Sequence, residues 1–193
     1  MENLTPISVL VRNERGVLAR VAALFARRGF NITSLAVGET ENPELSRITV
    51  VVEGDDDTME KVVKQLQRLV CVFRVDNLGR SAKVERGLAM IKVKADASSR
   101  SEILDLARVF RARVDHVDND CLVVEVSGDR PKVQAMIEML RPYGIIEMAR
   151  TGQIAISRQG TLYSGHTKEL NAEASKAEPA IFNQYKADKE NQA

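Results

Sequence analysis

The stretch Asn13-Glu14-Arg15-Gly16-Val17-Leu18-Ala19-Arg20-Val21-Ala22-Ala23-Leu24-Phe25-Ala26-Arg27-Arg28-Gly29-Phe30-Asn31 decides how this 193-residue chain is read. An alternating run, Ile7-Ser8-Val9-Leu10-Val11, precedes it, and Val17, Val21, Leu24, Phe25 and Arg28 then fall on one helical face, so a strand turns at Gly16 into a helix. A helix that begins at a glycine turn offers unpaired backbone N–H groups and a positive dipole end, where a carboxylate docks beside Gly16 and Val17. Asn13 stands at the mouth of the turn, and Asn31 follows the helix-ending Gly29. A carboxamide carries both an acceptor and a donor, which suits the ammonium and carboxylate that a free amino acid presents. Each residue also has a plain structural reading, Asn13 as a turn initiator and Asn31 as part of a helix exit. Their combination is what points to a ligand.

Outward from this stretch, the first half reads as a strand at Ile7–Arg12, a helix at Gly16–Arg28 and a strand at Ile32–Gly38. Glu41-Asn42-Pro43-Glu44 is a turn, and the β-branched run Arg47–Val52 is a strand. Gly54-Asp55-Asp56-Asp57 caps a second helix whose buried face is Met59, Val62, Val63, Leu66 and Leu69, and Val70–Leu78 closes the unit. This βαββαβ order predicts the ferredoxin-like plan, an α+β fold with two helices on one face of an antiparallel sheet. Leu10 points away from Ile7, Val9 and Val11, which hints that the other face is covered too.

A second pass of the same order follows the polar connector Gly79–Lys83. It comprises a strand at Leu88–Val93, a helix at Ser101–Arg111, a strand at Arg113–Val117, the hairpin turn Asp118-Asn119-Asp120, a strand at Cys121–Val126, a helix at Pro131–Leu140 and a strand at Ile145–Ala149. The domains expected are therefore residues 1–79 and 85–158, joined by a linker at 80–84. Residues 159–193, rich in Ala, Lys, Glu, Asn and Gln, are expected to form a disordered tail. The topology repeats but the letters do not. Where the first half has Asn13 and Gly16, the second has Ala95-Asp96-Ala97-Ser98-Ser99.

The alternating strand, Asn13–Val21 and Arg28-Gly29-Phe30-Asn31-Ile32-Thr33-Ser34-Leu35 together resemble the ACT domain, a small-molecule-sensing module, in the version found in the regulatory small subunit of acetohydroxyacid synthase (acetolactate synthase). The resemblance covers Leu4 to Arg158. It implies a non-catalytic cytoplasmic subunit that binds the large catalytic subunit, raises its activity and confers feedback inhibition by a branched-chain amino acid, with valine the first choice. Thiamine diphosphate, magnesium and FAD would then belong to the catalytic partner, with no cofactor on this chain. It also implies a homodimer paired through the ACT domain. Asn13 with the Gly16 and Val17 amides would hold the effector from one subunit, Asn31 with the Ile32 backbone from the other, and Leu18 and Ile32 would line the pocket.

Composition narrows the alternatives. With 28 basic against 27 acidic residues the charge gives no footprint for nucleic acid or a membrane surface, and no apolar run reaches the length of a membrane span. A transcription factor using the same module would need a basic reading element, and none is evident. His116 and His166 are the only histidines and stand at no ligand spacing from Cys71 or Cys121. Asp115, Asp118 and Asp120 read as a solvated turn, lacking the glycine and terminal glutamate of a calcium loop. The two cysteines lie in apolar runs and are expected to be buried free thiols.

Overall fold

A computed structural model of the chain describes residues 4–79 and 81–158. The expected tail at 159–193 lies outside them. The first half folds as β1 (Leu4–Arg12), α1 (Val17–Arg28), β2 (Ile32–Glu39), β3 (Leu45–Glu53), α2 (Asp56–Leu66) and β4 (Val72–Asn77). The second folds as β5 (Lys83–Lys94), α3 (Arg100–Val109), β6 (Arg113–Val117), β7 (Cys121–Gly128), α4 (Arg130–Leu140), a short 3-10 turn at Arg141–Tyr143, β8 (Ile145–Arg150) and β9 (Ile154–Ser157). The first sheet has the order β2-β3-β1-β4 and the second β6-β7-β5-β8, antiparallel throughout. Both halves are thus ferredoxin-like, as the repeated βαββαβ order predicts.

Each half has its own apolar core. In the first, Ile7, Val9 and Val11 of β1 and Ile48, Val50 and Val52 of β3 meet Val21, Leu24 and Phe25 of α1 and Met59, Val62 and Leu66 of α2. In the second, Ala89, Ile91 and Val93 with Leu122, Val124 and Val126 meet Ile103, Ala107, Val133, Met136, Ile137 and Leu140. The period-two and helical patterns that predicted the elements are the patterns that fill these cores. Asp55 caps α2, accepting from the Thr58 amide at 2.8 Å, and Pro131 lies in the first turn of α4. Cys71 and Cys121 are buried free thiols.

The boundaries differ from the sequence reading in two places that matter. Lys83 and Val84 belong to β5, so the expected linker at 80–84 shortens, and the strand expected at Leu88–Val93 starts five residues earlier than that. The early part of β5, Lys83–Arg86, pairs with β9, a strand with no counterpart in the βαββαβ plan. Val70, expected at the start of the closing strand, is 95% exposed in the turn before it, and β4 begins at Val72.

The hint from Leu10 holds. By register, Pro6, Ser8 and Leu10 share a face with Arg47, Thr49 and Val51, the face turned away from α1 and α2. Ser8, Leu10, Thr49 and Val51 are nonetheless all buried. The cover comes from the same chain: β9 lies against β1, with Ala155 buried. The described residues belong to one compact unit. Phe25 is the largest of the fully buried side chains and stacks edge-on against Phe30 at 6.0 Å. Replacing it by alanine should cost about 3–5 kcal/mol in urea denaturation at an unchanged m value; a loss below 1 kcal/mol would mean that this core does not hold α1.

Candidate functional site

The turn between β1 and α1 is built around backbone demands. Gly16 has φ +81°, a left-handed conformation that costs a residue with a side chain about 1–2 kcal/mol. A Cβ there would meet no atom within 4 Å, so glycine is required by the backbone and not by crowding within the chain. Gly16 is also the N-cap residue of α1, which supplies no side chain to accept from the helix's first N–H groups, and no acidic residue lies in the first turn. The Val17 amide makes a long bond of 3.5 Å to the Glu14 carbonyl. The amides of Leu18 and Ala19 have no acceptor among the described residues. The Gly16 amide, expected with that of Val17 to hold a carboxylate, likewise has no acceptor among the described residues.

Two of the other helix starts are different. Asp55 and Asp129 cap α2 and α4 through the Thr58 and Lys132 amides at 2.8 and 3.0 Å. Before α3, Asp96 accepts from the Ser98 and Ser99 amides at 2.9 and 2.8 Å and from both hydroxyls at 2.7 and 2.9 Å. The Ser98 hydroxyl, the Ser99 amide and the Ser99 hydroxyl hold its carboxyl down to about 2. Asp96 thus holds the turn that leads into α3, while Ser99, the N-cap residue of α3, makes no side-chain capping bond.

Asn13 is placed from both sides. Its backbone amide donates to the Glu44 carbonyl at 2.7 Å, and its side-chain Nδ2 donates to the Pro43 carbonyl at 2.8 Å and to Glu39 Oε1 at 3.4 Å. The donor half of the carboxamide is thereby committed to the β2–β3 turn. No donor reaches its Oδ1 among the described residues. The roles of Glu39 and Pro43 were not read from the sequence, because a turn motif at residues 41–44 does not say that the turn folds back onto Asn13. Glu14 accepts from Arg20 at 3.0 Å and frames the same mouth.

Val17 turns its side chain into the core, and Ile32 is half-buried against that core, so neither side chain lines an open pocket. Leu18, on the first turn of α1, is 43% exposed. Asn31 is exposed just beyond α1, which closes at Gly29 (φ +70°) with the Phe30 amide bonded to the Phe25 carbonyl at 3.1 Å. The sheet register separates the two asparagines: Arg12 pairs with Leu45, whereas Ile32 pairs with Val52. Those levels are seven residue steps apart along β3, a span of about 24 Å. Within one chain Asn13, Gly16 and Leu18 come together and Asn31 with Ile32 does not join them.

Protonation supplies a check on the Asp96 turn before α3. The folded pKa of Asp96 lies below the ordinary carboxylate value of 3.8, so its contribution is present above about pH 4 and is lost as pH falls through about 2. Asp96→Asn should be less stable than wild type at pH 6, and the gap should narrow between pH 5 and pH 2 in denaturant titrations. An equal gap at both ends would refute this account of the turn.

Comparison with known proteins bears on the whole described region. Residues 7–74 match the family described as the AHAS small subunit-like ACT domain, and residues 86–159 match that of the small subunit of acetolactate synthase. A probable acetolactate synthase small subunit from Archaeoglobus fulgidus is 53% identical over 152 residues, covering 79% of this chain and 95% of that protein. The acetolactate synthase small subunit of Aquifex aeolicus is 50% identical over 154 residues, 79% of this chain and 80% of its own length. The crystal structure of the acetolactate synthase small subunit from Thermotoga maritima superposes with a TM-score of 0.74 at 43% identity, over 80% of this chain and 97% of that one. The chain belongs to the family of acetolactate synthase small subunits, with an ACT domain as its first half.

Proposed function

We propose that the chain is the regulatory, non-catalytic subunit of an acetolactate synthase, which activates the catalytic subunit and makes it sensitive to a branched-chain amino acid, valine first. The observation that carries this reading is the start of α1. Unlike α2 and α4, it holds no capping side chain, and it opens beside the Asn13 acceptor. An α-carboxylate on the Leu18 and Ala19 amides and an ammonium on Asn13 Oδ1 would satisfy both charges of a free amino acid. Leu18 would give the apolar side chain its contact. Thiamine diphosphate, magnesium and FAD fall to the catalytic partner in this reading, and the setting is cytoplasmic.

A second copy would complete the site. β2 is an edge strand, so its outer side is open to pairing. Antiparallel pairing of β2 with its copy sets the start of one strand beside the end of the other, bringing Asn31 of one subunit to the level of Glu39 in its neighbour. Glu39 Oε1 lies 3.4 Å from Asn13 Nδ2. The two asparagines that lie far apart in one chain would thus meet across the dimer, with Asn31 and the Ile32 backbone closing the pocket.

Asn13→Ala should weaken valine binding by about ten- to a hundredfold, roughly 1.5–3 kcal/mol, in calorimetry. Gly16→Asp sets a fixed carboxylate where the ligand's would lie, and should leave an activator that ignores valine. Inhibition of the reconstituted enzyme that persists unchanged in both variants would refute the site. Mixing Asn13→Ala and Asn31→Ala subunits should restore part of the response, which a site within one subunit could not do.

A further inference from the structure

We propose that the β8–β9 connector, Thr151-Gly152-Gln153, is a positioning clamp on β2 and couples effector binding to the second half of the chain. The proposal rests on the reading above for the identity of the effector. Three observations carry it. The Gln153 amide donates to Ser34 Oγ at 2.9 Å, joining residues 119 apart in sequence. Gly152 lies so close to the β2 backbone that a Cβ on it would overlap the Leu35 carbonyl and sit 2.8 Å from the Ala36 nitrogen. Since Gly152 has no positive φ, this glycine is required by approach and not by backbone conformation.

The third observation is where the contact falls. Ser34, Ala36 and Gly38 pair with Val51, Thr49 and Arg47, so they lie on the sheet face away from the helices. These three residues are small, which lets another backbone settle on β2 there. The β2–β3 register shifts between Ile32 and Ser34, immediately beside Asn31. A bulge is a local kink in the strand. The clamp grips the strand on one side of that kink, and the proposed effector residues Asn31 and Ile32 lie on the other.

At its other end the connector is fixed to the second half. The Thr151 amide donates to the Leu88 carbonyl at 2.9 Å, and the Leu88 amide donates to Thr151 Oγ1 at 3.0 Å. β9 then continues along Lys83–Arg86 of β5. A shift of β2 that accompanies ligand binding is therefore passed through Ser34 and Gly152 to β5, the central strand on which the second core is built. Packed cores deform little, so such a shift moves the attached body instead of being absorbed.

Linkage supplies a readout that a merely structural contact would not move. In the wild type, the valine Kd of the free chain and that of its complex with the catalytic subunit should differ at least fivefold. Ser34→Ala removes the acceptor and should bring the ratio to within twofold of one while the free chain's own Kd changes less than threefold. Ser34→Thr keeps the hydroxyl and should keep the ratio. Gly152→Ala should act as Ser34→Ala does, and if it fails to fold, the serine pair still decides. A ratio unchanged in Ser34→Ala overturns the clamp alone, with the effector site intact; a wild-type chain that binds no valine overturns both readings.

Discussion

The first sheet is buried on both faces, and most of the molecule's organisation follows from that. β1 is covered along almost its whole length, with Ile7, Val9 and Val11 turned to the helices and Ser8 and Leu10 turned to the opposite side. An ordinary ferredoxin-like unit has helices for one face only, so the second face must find a cover. Here β9 and the connector before it lie on that side. The polar groups buried with it are provided for, since Arg47 donates to Ser8 Oγ at 2.8 Å. The second sheet has no such need. Met90, on its face away from the helices, is 44% exposed and is flanked by Glu125 in the register.

What the sequence disclosed and what it withheld divide along the same line. Local signals sufficed for the repeated βαββαβ plan, for the helix faces, for the Asp55 cap and for the turn at Gly16, because each depends on residues a few positions apart. Leu10 also betrayed a covered second face, since an apolar residue on the wrong side of an alternating strand needs an explanation. The identity of the cover lay beyond such signals. Thr151-Gly152-Gln153 reads as a loop, and nothing in its letters says that Gly152 will meet Leu35 far back in the chain. β9 is a four-residue strand paired with a segment that reads as a polar linker. The bulge near Thr33 was equally silent: it brings Ile32 and Leu35, three positions apart, to one face, where strict alternation would separate them.

The candidate site was legible in its residue types and less so in its detailed bonding. Asn13, Gly16 and Leu18 converge as their spacing suggests. The Val17 amide is partly committed to Glu14, however, and the Asn13 donor is taken by Pro43. Those are consequences of how two turns meet, and sequence spacing carries no record of them. Among the described residues the turn keeps the Gly16, Leu18 and Ala19 amides without an acceptor beside Asn13.

The two halves share a fold and differ in what their first helices offer. A helix start has unpaired N–H groups that something must satisfy. Before α3, Asp96 accepts four hydrogen bonds from Ser98 and Ser99, which order the turn that leads into the helix. At α1 the equivalent loop ends in a left-handed glycine with no side chain to offer, so the same requirement is left to an outside carboxylate or to water. This asymmetry also fits the packing. The half with the open helix start is the one whose sheet is gripped on its second face, so occupation of that start has a rigid neighbour to act upon. In the second half the turn before α3 carries its own carboxylate, Asp96, and the outer sheet face carries an exposed Met90.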